Sequence, residues 1–455
     1  MLTYELKKSP GVPLYEALYR CIRGDILSGV LQPGEKLPSK RALSSHLEVS
    51  KITVEAAYNQ LLAEGYIASR EKVGYFVERV ERAPARQQTA PAKAKAEETA
   101  FSLDLTASGA EHFPFSVWSR LQREVMLDYG EKLLQPLPHQ GIPELRQAIA
   151  RHLAAFRGMD IDPENILIGA GADFLYNLLV QLLGRDKCYA VEEPGYGKIR
   201  KIYSACGVEC LSASMDRQGV RPDRLQNAGV LHFSPSHHFP SGLVTPVQRR
   251  LELLNWAKET GSWIIEDDYD SEFRFTAHPM PAMQSLDPDR VIYMNSFSKT
   301  LAPSIRISYL VLPQGLMQQF RETLDFYSCT VASFEQYTLA RFLDRGYFEK
   351  HINRMRKFYK NRRNKVVSLL ENSVFSSRLT ILEQDAGLHF LLKIDTTLSD
   401  ADLQKKLETL GIRIKPITAY YHIHSGEDRH CFLVNYSVLD EAALEQALKR
   451  LPEHL

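Results

Sequence analysis

Hydrophobic positions recur with a helical period near the start of the chain, then give way, past a long polar interruption, to short continuous apolar runs. In "VPLYEALYRCIRGDILSG" the residues Leu14, Leu18, Cys21, Ile22 and Ile26 share one helical face, and Gly29 stands where such a helix closes. "LQPGEKLPS" turns the chain through Pro33-Gly34. Ser39 is placed to cap a short helix over "KRALSSHL", and after "EVS" Ser50 is placed to cap another. In "SKITVEAAYNQLLAEG" a stripe of Val54, Ala57, Tyr58, Leu61 and Leu62 turns Lys51, Ile52, Glu55 and Asn59 outward, and Gly65 ends the helix. "YIASREKVGYFVER" alternates like a two-stranded hairpin with Gly74 near its turn. Two short helices on a tight connection, followed by a hairpin, predict a winged helix-turn-helix over residues 1–78, the arrangement that lays a recognition helix in the major groove with a wing beside it.

Residues 79–100, "RVERAPARQQTAPAKAKAEETA", lack aromatic residues and have almost no large apolar ones, so they cannot bury a core and read as a flexible linker. As a coil such a segment spans roughly 25 Å and at full stretch about 70 Å. Residues 101–455 carry "NILIGAG", "KCYAVEEPGY", "GVLHFSPSH", "SWIIEDDYD", "VIYMNSFSK" and "ISYLVLP" between helical stretches. Continuous apolar strands of this kind belong to a mostly parallel sheet covered on both faces, the fold class α/β. A smaller C-terminal α+β subdomain is expected after it.

Composition narrows the picture without redirecting it. The 455 residues are 44% hydrophobic and 24% charged with a net charge of +1, so any affinity for DNA rests on local arrangement. The six cysteines are scattered and read as reduced thiols; Cys206 and Cys210 flank "GVE" but meet no further pair at zinc spacing, so no metal site is expected. No apolar run approaches the roughly 20 residues that span a bilayer. A cytoplasmic protein without membrane contact is the expectation.

Residues 1–78 hold ten Lys and Arg against nine Asp and Glu, yet the basic groups fall on elements that would face DNA: Lys36, Lys40 and Arg41, then Lys51, then Arg70 and Lys72 in the wing. The string Gly29-x-Leu31-x-Pro33-Gly34-x-x-Leu37-Pro38-Ser39-x-Arg41-x-Leu43, followed by Val49-Ser50-x-x-Thr53-Val54, closely resembles the GntR family of bacterial transcription regulators. The resemblance implies operator DNA as partner, touched by Arg41, Ser50, Lys51 and Thr53, with Gly74 at the wing. Lys51 and Glu55 stand where arginine is frequent in that family. A carboxylate beside phosphates is unfavourable unless it reads a cytosine amine.

Ligands of a parallel sheet gather at the carboxyl ends of its strands, where the polar residues of the body also lie. "SFSKTLAPSIR" sets a lone lysine, Lys299, at a strand end, with Ser296 and Ser298 before it and Arg306 seven positions after. In "WIIEDDYD" strand alternation sends Asp267 and Tyr269 one way and Asp268 and Asp270 the other. Such an acidic cluster alone equally suits a metal site or a solvated loop. Beside Lys299 it also suits a pyridoxal ring, which needs an amine for a Schiff base, an acid at its ring nitrogen, a donor at its phenolic oxygen, a stacking face and a phosphate cup. Gly171 opens a helix after a strand, a place for phosphate, and Tyr196 in "EEPGYGK" is available for stacking. His237, His238 and His389 read as residues that pack or brace the groups around the site, not as ligands.

With these motifs in order, residues 101–455 resemble class I aminotransferases of PLP fold type I. Together with the head, the whole chain resembles the MocR/GabR group of PLP-dependent transcription regulators. The resemblance implies pyridoxal 5′-phosphate as cofactor and a homodimer. Lys299 becomes the aldimine lysine, Asp267 the ring-nitrogen partner, Tyr269 the phenolate donor and Tyr196 the stacking ring. Ser296, Ser298, Arg306 and the turn Gly171-Ala172-Asp173 become phosphate contacts. "HHFPSG" departs from the enzymes' Asn-Pro-x-Gly by placing Phe239 at the Asn, the form the regulator group shares, and removes one hydrogen bond to the cofactor. Arg429, with Arg413 as rival, is the expected contact for an effector carboxylate. The implied function is a regulator that senses a small amine or amino acid by aldimine exchange at Lys299. An active aminotransferase with an appended DNA-binding head is the alternative.

Overall fold

The computed structural model describes residues 2–4, 13–70, 73–79, 103–106, 109, 112–225, 227–275, 280–423 and 429–451. Lys72 and nearly all of the expected linker lie outside them. The chain forms two compact units, residues 1–96 and 97–455.

In the first unit, α1 (Leu14–Ser28), α2 (Lys40–His46) and α3 (Lys51–Ala63) are followed by the antiparallel pair β1 (Ile67–Arg70) and β2 (Gly74–Val77). The caps act as their residue types dictate. Gly29 closes α1 in the left-handed region at φ 82°. Ser39 Oγ accepts from the Ala42 N–H at 3.2 Å and Ser50 Oγ from the Thr53 N–H at 3.1 Å, which satisfies orphan donors at each helix start. Leu18, Ile22, Leu43, Val54, Tyr58 and Leu61 form the core. Cys21 and Leu62, both expected in the stripe, are half-buried at its rim.

In the second unit the strands Ile166–Gly169, Ser308–Val311, Val291–Ser296, Trp263–Asp267, Val230–Phe233, Tyr189–Glu193, Cys210–Asp216 and Gly219–Val220 lie in that order in one sheet. All run parallel except Ser308–Val311 and the edge strand Gly219–Val220. Successive residues serve opposite faces, which is why the runs are apolar throughout. Ile265, Ile292 and Leu310 pack under the helix Ala172–Leu183, whereas Ile264 and Val291 meet the helix Val247–Thr260. Ile168, Tyr293 and Tyr309 join the largest core, shared with the helices Pro143–Arg157 and Ser333–Asp344. After the 25-residue helix Tyr347–Glu371, a smaller antiparallel sheet orders Leu379–Leu382, His389–Ile394, Cys431–Asn435 and Lys415–Pro416, with the helices Asp400–Thr409 and Glu441–Arg450. This is the expected α+β subdomain.

Candidate functional site

At one sheet edge, five of the six parallel strands bring their carboxyl ends to the site, at Gly169, Glu193, Phe233, Asp267 and Ser296. The antiparallel strand begins at that same edge, with Ser308 opposite both Ser296 and Gly169. Reversal of this one strand returns Arg306 to the place the chain left at Ser296.

Asp267 closes its strand with a buried carboxylate. Tyr176 donates to its Oδ2 at 2.8 Å, and His232 Nε2 lies 3.3 Å from the same oxygen, with His232 Nδ1 2.6 Å from the Tyr203 hydroxyl. None of these three partners is among the residues expected at the site. His232 was nonetheless visible as the one polar residue inside the buried strand "VLHF", since a buried polar group requires a bonded partner.

Beyond Asp267 the strand alternation fails. Asp268 turns inward to Arg157 at 3.2 Å, Tyr293 at 2.6 Å and Ser271 at 2.8 Å. Asp270, expected to follow Asp268, instead lies with Tyr269. The Asp270 carboxylate is 2.8 Å from His237 Nδ1 and the Tyr269 hydroxyl 3.2 Å from the same nitrogen. The cause is the chain bend between Asp267 and the 3-10 turn Ser271–Phe273, which ends the two-residue period. His237 thus braces Asp270 and Tyr269, one of the two roles expected for it. Burial first, and then the Asp270 charge, push the Tyr269 hydroxyl well above its usual range, so it remains a donor.

Lys299 lies on the short helix Phe297–Thr300, which Ser296 caps by accepting from the Ser298 N–H at 3.2 Å. Burial lowers its ammonium pKa, and the Asp270 carboxylate opposes that shift. Ser308 donates to Ser296 Oγ at 2.8 Å and Ser296 to Ser298 Oγ at 3.0 Å, a line of hydroxyls below the lysine.

Across from them Gly171, at φ 86° and ψ 163°, precedes the helix Ala172–Leu183, whose start no side chain caps. A Cβ at Gly171 would lie 2.4 Å from Arg306 Nη2, so the guanidinium rests on the bare backbone. Arg306 also reaches Asp173 Oδ2 at 3.3 Å, and Lys198 reaches it at 2.7 Å. Burial raises the Asp173 carboxyl, but these two cations outweigh it and hold it below its usual range. Asp173 is thus a paired carboxylate, and only its backbone N–H is suited to an anion. Open N–H groups, a helix start, a serine line and an arginine across a glycine make a cradle that fits a phosphate.

Tyr196 is 50% exposed and meets Phe239 edge-on, with ring centroids 5.9 Å apart. Phe239 packs in turn on His389 and Tyr420. Arg413 is exposed and paired with Asp104 at 3.0 Å, so it does not join the Lys299 group. Arg429, also exposed, lies over the Tyr421 ring at 5.8 Å.

In the head, Arg41, Ser50 and Lys51 are exposed, and Thr53 is half-buried with its hydroxyl 2.8 Å from that of Ser50. Lys40 turns away from the outer face onto Glu55 at 2.7 Å and over the Tyr75 ring. Glu55 is thereby answered within the protein. Gly74, at φ 134°, lies against the Lys36 stem. Ile52, turned outward on α3 as its spacing predicts, is 77% exposed.

Among the described residues no helix is long and apolar enough to cross a membrane. Residues 104–451 match the family "Aminotransferase class I and II", and residues 14–77 match "Bacterial regulatory proteins, gntR family". The HTH-type transcriptional regulator YdeL of Bacillus subtilis is 36% identical over 99% of this chain and 98% of its own length. The probable rhizopine catabolism regulatory protein MocR of Rhizobium meliloti is 30% identical, covering 98% of this chain and 94% of its own. A solved kynurenine aminotransferase of Pyrococcus horikoshii, in complex with PMP, overlays with a TM-score of 0.67 at 25% identity over 78% of this chain and 91% of its own.

Proposed function

Because the chain belongs to the aminotransferase class I and II family and is a DNA-binding transcription regulator with a gntR-type head, we propose that its body is a sensor in which an amine-bearing effector exchanges with Lys299 on pyridoxal 5′-phosphate. The cofactor, when bound, supplies an aldehyde carbon that bonds reversibly to amines. The supporting observation is the convergence of Lys299, Asp267 and the Gly171–Arg306 cradle at one sheet edge.

Each residue then has a task. The lowered Lys299 pKa keeps more of its amine neutral and nucleophilic. Asp267, fixed by Tyr176 and His232, would hold the ring nitrogen protonated, and Tyr269 would donate to the phenolic oxygen. Ser296, Ser298, Arg306 and the N–H groups from Gly171 to Asp173 would take the phosphate. Tyr196 would cover the ring face. Arg429 remains the candidate for an effector carboxylate, and Arg413 is set aside because Asp104 already holds it. On the head, Arg41, Ser50, Lys51 and Thr53 would meet DNA, with Ile52 offering a methyl-sized apolar contact to thymine. A homodimer belongs to the same reading: Phe115, Leu127 and Leu134 leave apolar surface that a second copy would cover.

The test is the visible spectrum of cofactor-loaded full-length protein, titrated with amines with and without a keto acid, followed by binding to DNA fragments selected by the protein itself. A band shift without accumulating product, accompanied by changed DNA affinity, is the expected result. Product over many turnovers would make the body an aminotransferase. Sedimentation of the loaded protein as a monomer would remove the dimer.

A further inference from the structure

The outward stripe of α3 carries a single acid. Lys51, Ile52, Glu55 and Asn59 recur at helical spacing on the face that the buried Val54, Tyr58 and Leu61 leave to solvent, and the Glu55 side chain keeps 45% of its surface open there. Its two oxygens differ. Lys40 Nζ donates to Oε1 at 2.7 Å, whereas Oε2 meets no donor among the described residues. Lys40 is fixed from behind in turn. Its ammonium lies 5.4 Å from the centroid of the Tyr75 ring in β2, Tyr75 meets Tyr58 edge-on at 5.0 Å, and the buried Tyr58 donates to the Pro38 carbonyl at 2.9 Å. The carboxylate is therefore braced, through one lysine, on the core of the head. Pairing with Lys40 also holds the Glu55 carboxyl below its usual range, so it is ionised and can only accept.

A lone carboxylate in a groove lined by phosphates would repel DNA whatever its sequence. Here Lys40 offsets that charge without covering Oε2, which leaves an acceptor of fixed position on the outer face. Two bases offer amines in the major groove. Cytosine presents its N4 amine alone, whereas adenine sets an acceptor, N7, beside its amine and so opposes a carboxylate. We propose that Glu55, positioned by Lys40, is a specificity residue that accepts from the N4 amine of a cytosine in the operator. This rests on the reading of α3 as the helix that enters the major groove. An arginine at this place would select guanine or hold a phosphate; the acid with its lysine brace replaces that with a preference for cytosine.

The test uses full-length protein. Duplexes that it enriches from a randomised pool are sequenced, and each base pair of the enriched site is then substituted and its affinity read by anisotropy. Wild type should prefer cytosine at one position by roughly ten-fold or more over the other bases. In Glu55→Gln that position alone should change, towards adenine, which a glutamine amide pairs through N6 and N7. Release of Lys40 acts on every duplex alike and cancels in the ratio. Lys40→Gln should weaken the same preference and Lys40→Arg should keep most of it, a position-specific effect that a role confined to folding would not produce. On the DNA side, N4-methylcytosine puts a methyl group where the groove-facing N–H was. It should cost wild type roughly ten-fold at that position and Glu55→Gln about two-fold at most. The wild-type measurement alone decides if a variant does not fold. An enriched site with the same base preferences in folded Glu55→Gln overturns the proposal, as does wild-type tolerance of N4-methylcytosine at every cytosine of the site. A pool that yields no enriched sequence would instead remove α3 as the reading helix, and the proposal with it.

Discussion

Gly171→Ala is the most direct probe of the phosphate cradle. The backbone at φ 86° and ψ 163° lies in a region open essentially only to glycine, and a side chain there costs about 1–3 kcal/mol. The added Cβ would also sit 2.4 Å from Arg306 Nη2 and 2.5 Å from its Cζ, well inside contact distance. The guanidinium is the end of a flexible side chain, so it would swing away rather than deform the sheet. A charge-assisted hydrogen bond from Arg306 to the phosphate, worth about 1.5–3 kcal/mol, would be lost with it. At about 1.4 kcal/mol per decade this predicts cofactor affinity lower by roughly ten- to hundred-fold. Titration of the cofactor-free protein, followed by absorbance, reads the affinity, and denaturant unfolding reads the stability. If stability fell by the expected amount while affinity stayed within about two-fold, Arg306 would not be a phosphate contact. If neither changed, the argument from the glycine-only backbone would itself fail.

Other substitutions reach other parts of the molecule. Lys299→Ala should leave no cofactor that borohydride can fix to the protein, read by mass spectrometry. Glu55→Gln should release Lys40 from its 2.7 Å pair and strengthen DNA binding, with the slope of log affinity against log salt steeper by about one unit, measured by anisotropy at several salt concentrations. Ser50→Ala removes the α3 cap and should cost the head about 1 kcal/mol, seen by thermal unfolding. Glu272 is buried, and burial first and then Asp268 raise its carboxyl to about 7. Between about pH 4.5 and 7 the folded protein then holds a proton that the unfolded chain has released, so stability falls as pH rises through that window. Glu272→Gln should flatten that fall, by on the order of 2–3 kcal/mol at its upper end, and match wild type near pH 4; a parallel pH profile would refute it.

Much of this was legible in the sequence for a local reason. Caps, turns and apolar runs are short-range signals, so Ser39, Ser50 and the strands ending at Asp267 and Ser296 could be placed from neighbouring residues alone. The motif order also put Lys299 and Gly171 at strand ends. Local pattern failed where a strand stopped being a strand: Asp270 was assigned by an alternation that ends three residues earlier. It failed again at Lys40, because a basic residue's position says nothing of a carboxylate 15 residues away that claims it.

The site's finer chemistry was hidden for a different reason, which the antiparallel strand makes plain. Arg306 meets Gly171 only because Ser308–Val311 lies between Ile166–Gly169 and Val291–Ser296 and runs against both. Run the other way, the same strand would send Arg306 to the far edge of the sheet, and the cradle would have no guanidinium. No residue in "SIRISYLVL" encodes that direction; it follows from how the chain re-enters the sheet after a connection too short for a crossover helix. The same holds for Tyr176 on Asp267 and Gly387 against His237, pairings set by strand order. Residue types at strand ends therefore name the chemistry available, whereas topology decides which of those groups meet. That is why Arg413, plausible by position, ends on Asp104, and why His237, expected only to pack or to brace a neighbour, ends between Tyr269 and Asp270.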